Sequence, residues 1–592
     1  MNSTSGKLPP AMRLPEFPPL SIIKNRLVPG QWDVLAFLLV ITFFIYLAEA
    51  AHGLIQPLAR LEATPISLDP WALVGYAART GLRMLIAMVC SLIFTFTYAS
   101  LAAKSRRAEM VLVPLLDILQ SVPILSFSIL IVFFLSLTPG RVAGAEMASV
   151  FLIFTSQAWN MAFSFYQSLR SIPDELQEVS RSFQLTPWMK FWRLEVPFAM
   201  PALIWNMMMS MSGGWFFVVV SEAITVGNTT VTLPGVGSYI GLAIEQRNGA
   251  AIGYAIAAMF VVILIYDQLL FRPLIASADW FRLEQESGAL TPSRSWALVM
   301  MRRSRLINVF GRLFAGILNA GGRSSAPAGG APSRPRRRSG MQSDGRLGDV
   351  LWYSFIAVVA FCALIKTGTF ILSGVAAGEV LHVVVLGLIT LLRVVVLIAI
   401  ASLIWVPIGM AIGLRPRVAR IAQPIAQFLA AFPAILFFPV VVSAIVMLRL
   451  NPNIWLSPLM ILGTQWYILF NVIVGASALP AELRYVGQNL RVGGWLWWKR
   501  IGLPAVFPYY LTGAITASGG SWNASIAAEV AVWGHEKLTA TGLGSYIAAA
   551  TDRGEFQRMA LGTVMMSLFV VLINRFFWRP LYRRAERKFR MT

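Results

Sequence analysis

Apolar runs long enough to cross a hydrocarbon core of roughly 30 Å recur along the whole chain. That recurrence leaves few folds open. Lipid offers peptide groups no hydrogen-bond partners, so a spanning segment satisfies its backbone internally, as a helix or in a closed barrel. The runs lack the two-residue alternation of barrel strands. The chain is expected to be an all-α polytopic membrane protein.

Six spans are placed in the first half of the sequence, at 33–55, 80–103, 110–137, 147–168, 199–222 and 251–272. Six more are placed at 351–373, 382–413, 421–447, 455–476, 508–530 and 558–577. Net charge is +22, which could suggest a nucleic-acid partner, but its placement points elsewhere. Lys104, Arg106 and Arg107 close one loop, Arg415, Arg417 and Arg420 its counterpart, and the C-terminal "RPLYRRAERKFR" is basic throughout. Cytoplasmic loops carry such an excess, so topology accounts for the charge and no nucleic acid is implied. The first thirty residues carry Lys7, Arg13, Lys24 and Arg26 without an apolar signal-peptide core, so residues 1–32 read as a cytosolic tail. Both termini are expected to be cytoplasmic.

The two halves repeat one another. Pro173, Pro197, Pro201, Trp215, Glu222, Tyr239 and Arg272-Pro273 meet Pro480, Pro504, Pro508, Trp522, Glu529, Tyr546 and Arg579-Pro580 at a shift of 307. "GVGSYI" from Gly235 returns as "GLGSYI" from Gly542 in the same frame. Upstream, Arg83, Pro114 and Pro123 meet Arg393, Pro424 and Pro433 at a shift of 310, so the second copy is three residues shorter between its third and fourth spans. An even number of spans per unit gives parallel repeats. The expected architecture is two six-helix halves, 33–276 and 350–592, about twelve spans in all, related by a pseudo-two-fold axis along the membrane normal.

Between them, 277–349 reads as a basic cytosolic linker, partly disordered, with "GGRSSAPAGGAPSRPRRRSG" too rich in Gly, Ser and Pro to pack a core. Within it Leu306, Phe310, Leu313, Phe314 and Ile317 fall at helical spacing among arginines. That pattern fits either a basic helix on anionic membrane lipid or a loose tether.

Little in the chain suggests an enzyme. Cys90 and Cys362 sit in separate apolar runs, only His52, His382 and His535 are available, and acidic or histidine clusters are missing from the spans. No metal or other cofactor is expected. The phosphate-cradling pattern G-x-x-x-x-G-K-[ST] is also missing, so any ATP hydrolysis would belong to another subunit.

The long loop after the fourth span is the most informative stretch. It reads "IPDELQEVSRSFQLTPWMKFWRLEVPFAMP" from Ile172 and "LPAELRYVGQNLRVGGWLWWKRIGLPAVFP" from Leu479. Leu176, Val179 and Phe183, and likewise Leu483, Val486 and Leu490, stand at i, i+3 and i+7, so each loop should hold a short amphipathic helix. A break follows at Thr186-Pro187 or Gly493-Gly494, then a proline pair where the next span begins.

This order resembles the "EAA" loop of binding-protein-dependent ABC importer permeases of the type I, methionine-importer-like class. The resemblance implies that the loops couple to a separate ABC ATPase, present in two copies, through Glu175, Glu178, Phe183 and Gln184 in one half and Glu482, Tyr485, Leu490 and Arg491 in the other. Tyr485 stands where the family usually has an acidic residue, and Gln184 and Arg491 where it usually has glycine. It further implies an extracytoplasmic solute-binding protein as partner and a bacterial inner-membrane location. "GGSWNASIAAEVAVWG" and "TATGLGSYIAAATDRGEF" resemble duplicated permeases of the nitrate, sulfonate, taurine and bicarbonate group, which implies a small anion as substrate. Fused ferric-iron and thiamine permeases share the two-half plan, and a secondary transporter with two parallel repeats would also explain the duplication.

Polar residues inside spans are the candidates for a substrate route. Glu222 and Glu529, near Trp215 and the Trp522-Asn523 pair, could gate it or could serve interhelical hydrogen bonding. Trp159 and Trp466, beside Asn160 and Gln465, could line a cavity or face lipid. Arg83 and Arg393 could attract an anion or snorkel to an interface.

Overall fold

A computed structural model describes residues 66–278 and 344–589, apart from short interruptions, with isolated positions between 34 and 42 and at 299–300. The expected first span, the linker and its candidate surface helix therefore lie almost wholly outside the described residues.

In the first half α1 runs Pro70–Lys104, α2 Arg106–Ser121, α3 Ile129–Leu137 and α4 Val142–Arg170. The loop helix α5 is Asp174–Ser182, followed by α6, Val196–Glu222, α7, Val236–Glu245, and α8, Gly249–Tyr266. The second half repeats the order with α9, Asp344–Leu372, α10, Ala377–Gly413, α11, Pro416–Ala431, α12, Phe438–Met447, and α13, Gln465–Ser477. Then come α14, Ala481–Asn489, α15, Leu503–Ala528, α16, Leu543–Arg553, α17, Phe556–Ile573, and α18, Arg579–Phe589. Among the described residues six helices are long and apolar enough to span a membrane, or seven counting a pair bent by 43°. The chain is an all-α polytopic membrane protein built from a duplicated unit.

Local chemistry sets the element ends. Asp69 accepts a hydrogen bond from the Trp71 amide at 3.1 Å, and Pro70 opens α1, so this span starts ten residues earlier than its apolar run suggests. Each third span is expected as one helix but is broken. Val122 and Phe432 take extended backbone because each precedes a proline, Pro123 or Pro433, whose ring disfavours a helical predecessor. The fourth span of the second half is also divided, into Pro452–Trp455, Leu459–Leu462 and α13, while α4 is continuous.

Four π turns have one cause. Phe191–Glu195, Trp498–Gly502, Asp267–Phe271 and Asn574–Trp578 each end two residues before a proline, at 197, 504, 273 and 580. Proline lacks an N–H and its ring collides with the carbonyl four residues back, and the wider turn relieves both problems without ending the helix.

Two β-hairpins fall outside the all-helical expectation. β1, Ala223–Val226, pairs antiparallel with β2, Thr229–Thr232, and β3, Val530–Trp533, with β4, Glu536–Thr539, at equivalent places after the fifth spans. A legible signal was the Gly227-Asn228 dipeptide between runs rich in β-branched residues.

Within each half the fourth span packs between the second and fifth: α4 against α1 and α6, and α13 against α10 and α15. The halves also exchange elements, α6 lying on α11 and α2 on α17. Phe260 meets Phe428 at 4.8 Å and Trp205 meets Phe470 at 4.9 Å across this junction. Each half keeps its own apolar core, the first centred on α4 and α6 around Phe165 and Trp215, the second on α13 and α15 around Leu511 and Trp522.

Candidate functional site

The repeated glycine motif sits where a fifth span ends against a short helix. Glu222 is fully buried at the end of α6. Its carboxylate accepts hydrogen bonds from the Gly237 amide at 2.7 Å, the Thr80 hydroxyl at 2.7 Å and the Arg83 guanidinium at 2.7 Å. The first turn of α7 thus offers backbone N–H groups to an anion supplied by the chain itself. A Cβ on Gly235 would overlap this carboxylate, and one on Gly237 would strike the Val219 carbonyl. Both glycines therefore serve close approach. Arg83, 3% exposed, also donates to Glu146 through two hydrogen bonds of 2.6 Å.

The second half rebuilds the arrangement. Glu529 accepts from the Ser545 amide at 3.0 Å, the Thr390 hydroxyl at 2.9 Å and Arg393 at 3.2 Å, and Gly542 abuts it as Gly235 abuts Glu222. Arg393 also donates to the Asn453 amide oxygen at 3.2 Å. Asn453 stands where the first half has Glu146.

A cavity of about 600 Å³ opens between the halves. Trp159, Asn160, Trp522 and Asn523 line it; Arg83, Trp215, Glu222, Arg393, Gln465, Trp466 and Glu529 are not among its lining residues. The first group comes together around the cavity. Of the second, the Arg and Glu residues join the two buried clusters, Trp215 stands edge-on to Tyr266 at 5.1 Å, and Trp466 lies 5.0 Å from Trp405, whose indole donates to Gln465 at 3.0 Å. Among the described lining residues Arg579 is the only charged one; Ser, Thr, Asn and Gln supply most of the polar wall. Asn523 also closes the junction, accepting from the Ile124 amide of the other half at 2.7 Å.

The paired loops lie apart from the cavity lining. α5 and α14 are short helices, and both leave their outer groups bare: Phe183 is 74% exposed, Leu490 69% and Tyr485 64%. Glu175, Glu178 and Glu482 are exposed beside them. The apolar stripe read in the sequence is only partly turned inward, since Leu176 is half-buried but Val179 and Phe183 face out. Gln184 and Arg491 have φ of 50° and 51°, the left-handed region that suits glycine.

The model of the family "Binding-protein-dependent transport system inner membrane component" matches residues 95–269 and again 404–579, together more than half of the chain. The chain belongs to this family.

As a member of the binding-protein-dependent transport system family, the chain is a multi-pass inner-membrane protein holding the unit twice. The matched segments contain both loops, both glutamates and the cavity residues 120–217 and 432–579. Thr80, Arg83, Thr390 and Arg393 lie just ahead of them, so each cluster ties the family unit to the span before it. Relatives are distant. The chain is 28% identical over 187 residues, 32% of its length, to the bicarbonate transport system permease protein CmpB of Synechococcus elongatus, and spans 64% of that protein, less than two thirds. It is 26% identical over 201 residues, 34% of its length and 70% of the relative, to the nitrate import permease protein NrtB of Synechocystis. A third relative is the glycine betaine/carnitine transport permease protein GbuB of Listeria monocytogenes, 28% identical over 169 residues, 28% of this chain and 54% of that one.

Several structural partners escaped the sequence reading. Thr80 and Thr390 carried a usable signal: T-x-x-R recurs at Thr80–Arg83 and Thr390–Arg393, which puts hydroxyl and guanidinium on one helix face. Glu146 and Asn453 carried none, because the repeat substitutes one for the other.

Proposed function

We propose that the chain is the fused transmembrane subunit of an ATP-driven importer, two halves forming one pathway for a small anion such as bicarbonate or nitrate. The observation that supports it most directly is the pair of loops with bare apolar side chains, present once per copy of a family unit. Exposed Phe183, Tyr485 and Leu490 are a cost in a loop helix unless another surface covers them. Two copies of an ABC ATPase would cover α5 and α14, and their closure on ATP would pull the loops together and shift the bundle between inward-open and outward-open states. A binding protein would deliver the solute at the opposite face. Under this reading the loops and both termini are cytoplasmic, 1–32 and 277–349 are cytosolic tail and linker, and the chain itself is no enzyme.

Glu175, Glu178, Gln184, Glu482 and Arg491 would border the ATPase contact, while Trp159, Asn160, Trp522 and Asn523 would line the route. Arg83, Glu222, Arg393 and Glu529 would act as fixed joints that hold α7 and α16 against the spans. The relatives named for bicarbonate and nitrate, and a cavity without a lining carboxylate among the described residues, support an anion.

The test is reconstitution of the chain with the ATPase purified from the same native membrane and its binding protein. Uptake of labelled bicarbonate or nitrate should require ATP, and Phe183→Ala with Leu490→Ala should lower it about ten-fold or more, the effect of losing buried interface anchors. Uptake that ignores ATP and follows the proton gradient would end this reading in favour of a secondary transporter.

A further inference from the structure

The two loops are fastened differently to their halves. Ahead of α5 the Tyr166 hydroxyl donates to Glu109 at 2.5 Å and Arg170 pairs with the same carboxylate at 3.5 Å, which ties the loop end of α4 to α2. Behind it Lys104, at the end of α1, pairs at 2.7 Å with Glu195, which is buried and closes the π turn leading into α6. The first loop is anchored on both sides. The repeat erases these groups: Ala419, Ile473, Ser477, Leu414 and Gly502 stand at the matching positions, and none of them can form an ion pair. In their place α13 packs on α10 through glycines, Gly409 against Val472 and Gly413 against Ala476, and Ser477 donates to the Gly413 carbonyl at 3.2 Å. Close backbone contacts of this kind permit the small sliding of a shear motion.

The fourth spans differ in the same sense. α4 runs unbroken for 29 residues, whereas its counterpart is bent by 43° between Leu462 and Gln465. Residue type explains the break. Pro452, Pro458 and Gly463 replace Ala145, Phe151 and Ser156; proline removes a backbone donor and glycine weakens a helix. Ahead of the bend, Asn453 is pinned by Arg393 at 3.2 Å and by the Thr541 amide at 2.7 Å. At the bend, Thr464 shares a hydrogen bond of 3.1 Å with Ser521 and sits against Gly520, where a Cβ would strike it. Beyond the bend, α13 carries Tyr467 and Asn471 of the cavity wall and leads into α14, which begins at Ala481. A pinned outer piece, a seated bend and an arm joined to the loop make a lever.

We propose that Gly463-Thr464 is the hinge through which ATP works the cavity: drawing α14 inward turns α13 about it and moves the cavity wall, while α4 travels with the first half as one piece. This rests on the reading of the loops as the ATPase contact. Transport is then driven from the second half, by a single moving wall.

The experiment uses the complete transporter in proteoliposomes, with Cys90→Ser and Cys362→Ser as background and spin labels at matched exposed positions. One sample carries Arg107→Cys with Ser182→Cys, the other Arg417→Cys with Asn489→Cys. α13 has 13 residues and is about 20 Å long, so a turn of about 15° shifts its far end by about 5 Å. Trapping with ATP and vanadate should change the second distance by about that much and the first by under about 2 Å. Gly463→Ala favours a straight helix, so it should shrink the change in the second pair as well as slow the uptake of labelled nitrate or bicarbonate. A mere dent in the cavity wall would slow uptake but leave the distance change intact. Should that variant misfold, the two label pairs decide alone. Equal changes in both pairs, a change confined to the first, or an undiminished change in Gly463→Ala would overturn the hinge. So would two unchanging pairs in a transporter that still takes up solute with ATP. Labels that stay put together with uptake that needs no ATP would instead defeat the importer reading on which the hinge stands.

Discussion

The two buried clusters share a plan and differ in one partner. In the first half Arg83 holds two carboxylates, Glu146 and Glu222, and its side chain is 4% exposed. In the second half Arg393 holds Glu529 alone, with the Asn453 amide in place of a second acid, and its side chain is 12% exposed. What both keep is a carboxylate seated on the N-terminus of a short helix, a threonine hydroxyl donating to it, and a glycine that lets it come close. The helix N-terminus carries partial positive charge and orphan N–H groups in either half, so its acceptor is needed in both. The outer acid is dispensable because an amide oxygen also satisfies a guanidinium N–H.

This difference should be measurable. Removing one member of a buried ion pair typically costs about 3–5 kcal/mol, and Arg83→Ala, which strands two acids, belongs in that range. Arg393→Ala should cost less, about 1–2 kcal/mol, since it strands one acid that retains two other donors. Thermal unfolding of the detergent-purified chain would report both, and equal losses would break the contrast between the halves.

The shared part of the plan calls for equal effects. Gly235→Ala and Gly542→Ala would each push a carboxylate off its backbone N–H, at about 1–3 kcal/mol. Hydrogen exchange in α7 and α16 would localise the damage, and a loss in one half only would mean that the helix seat is not common to both. The smallest effect concerns the loops. Gln184 and Arg491 occupy the left-handed region at a cost of about 1–2 kcal/mol for a residue with a Cβ. Glycine there relieves this strain but loses chain entropy, so each substitution should stabilise by somewhat under about 1 kcal/mol. Destabilisation instead would reveal that these side chains contribute contacts of their own.

Much of the plan was open to reading from residue order. A bilayer admits few backbone solutions, so apolar length specified helices. A duplication written in prolines, glycines and the Glu222–Glu529 match specified two like-oriented units, and the helix, break and proline pair marked the loops. Even the π turns could be traced to X-Pro, because proline acts on its own turn. Such features depend on neighbours within a few residues, and their physics is local.

Tertiary structure decided which equivalent residues share a fate. Trp159 and Trp466 match in sequence, as do Trp522 and Trp215, but only Trp159 and Trp522 line the cavity. Arg83 and Glu222 suit an ion route in a list of intramembrane charges, whereas the fold places them on each other, because segments about 140 residues apart meet where α1, α6 and α7 converge. A cavity wall is set by how the two halves lean together, and a repeat of sequence carries no record of that angle. Residue order determined the parts and their local bends; packing between distant spans determined which polar residues line the cavity and which face one another.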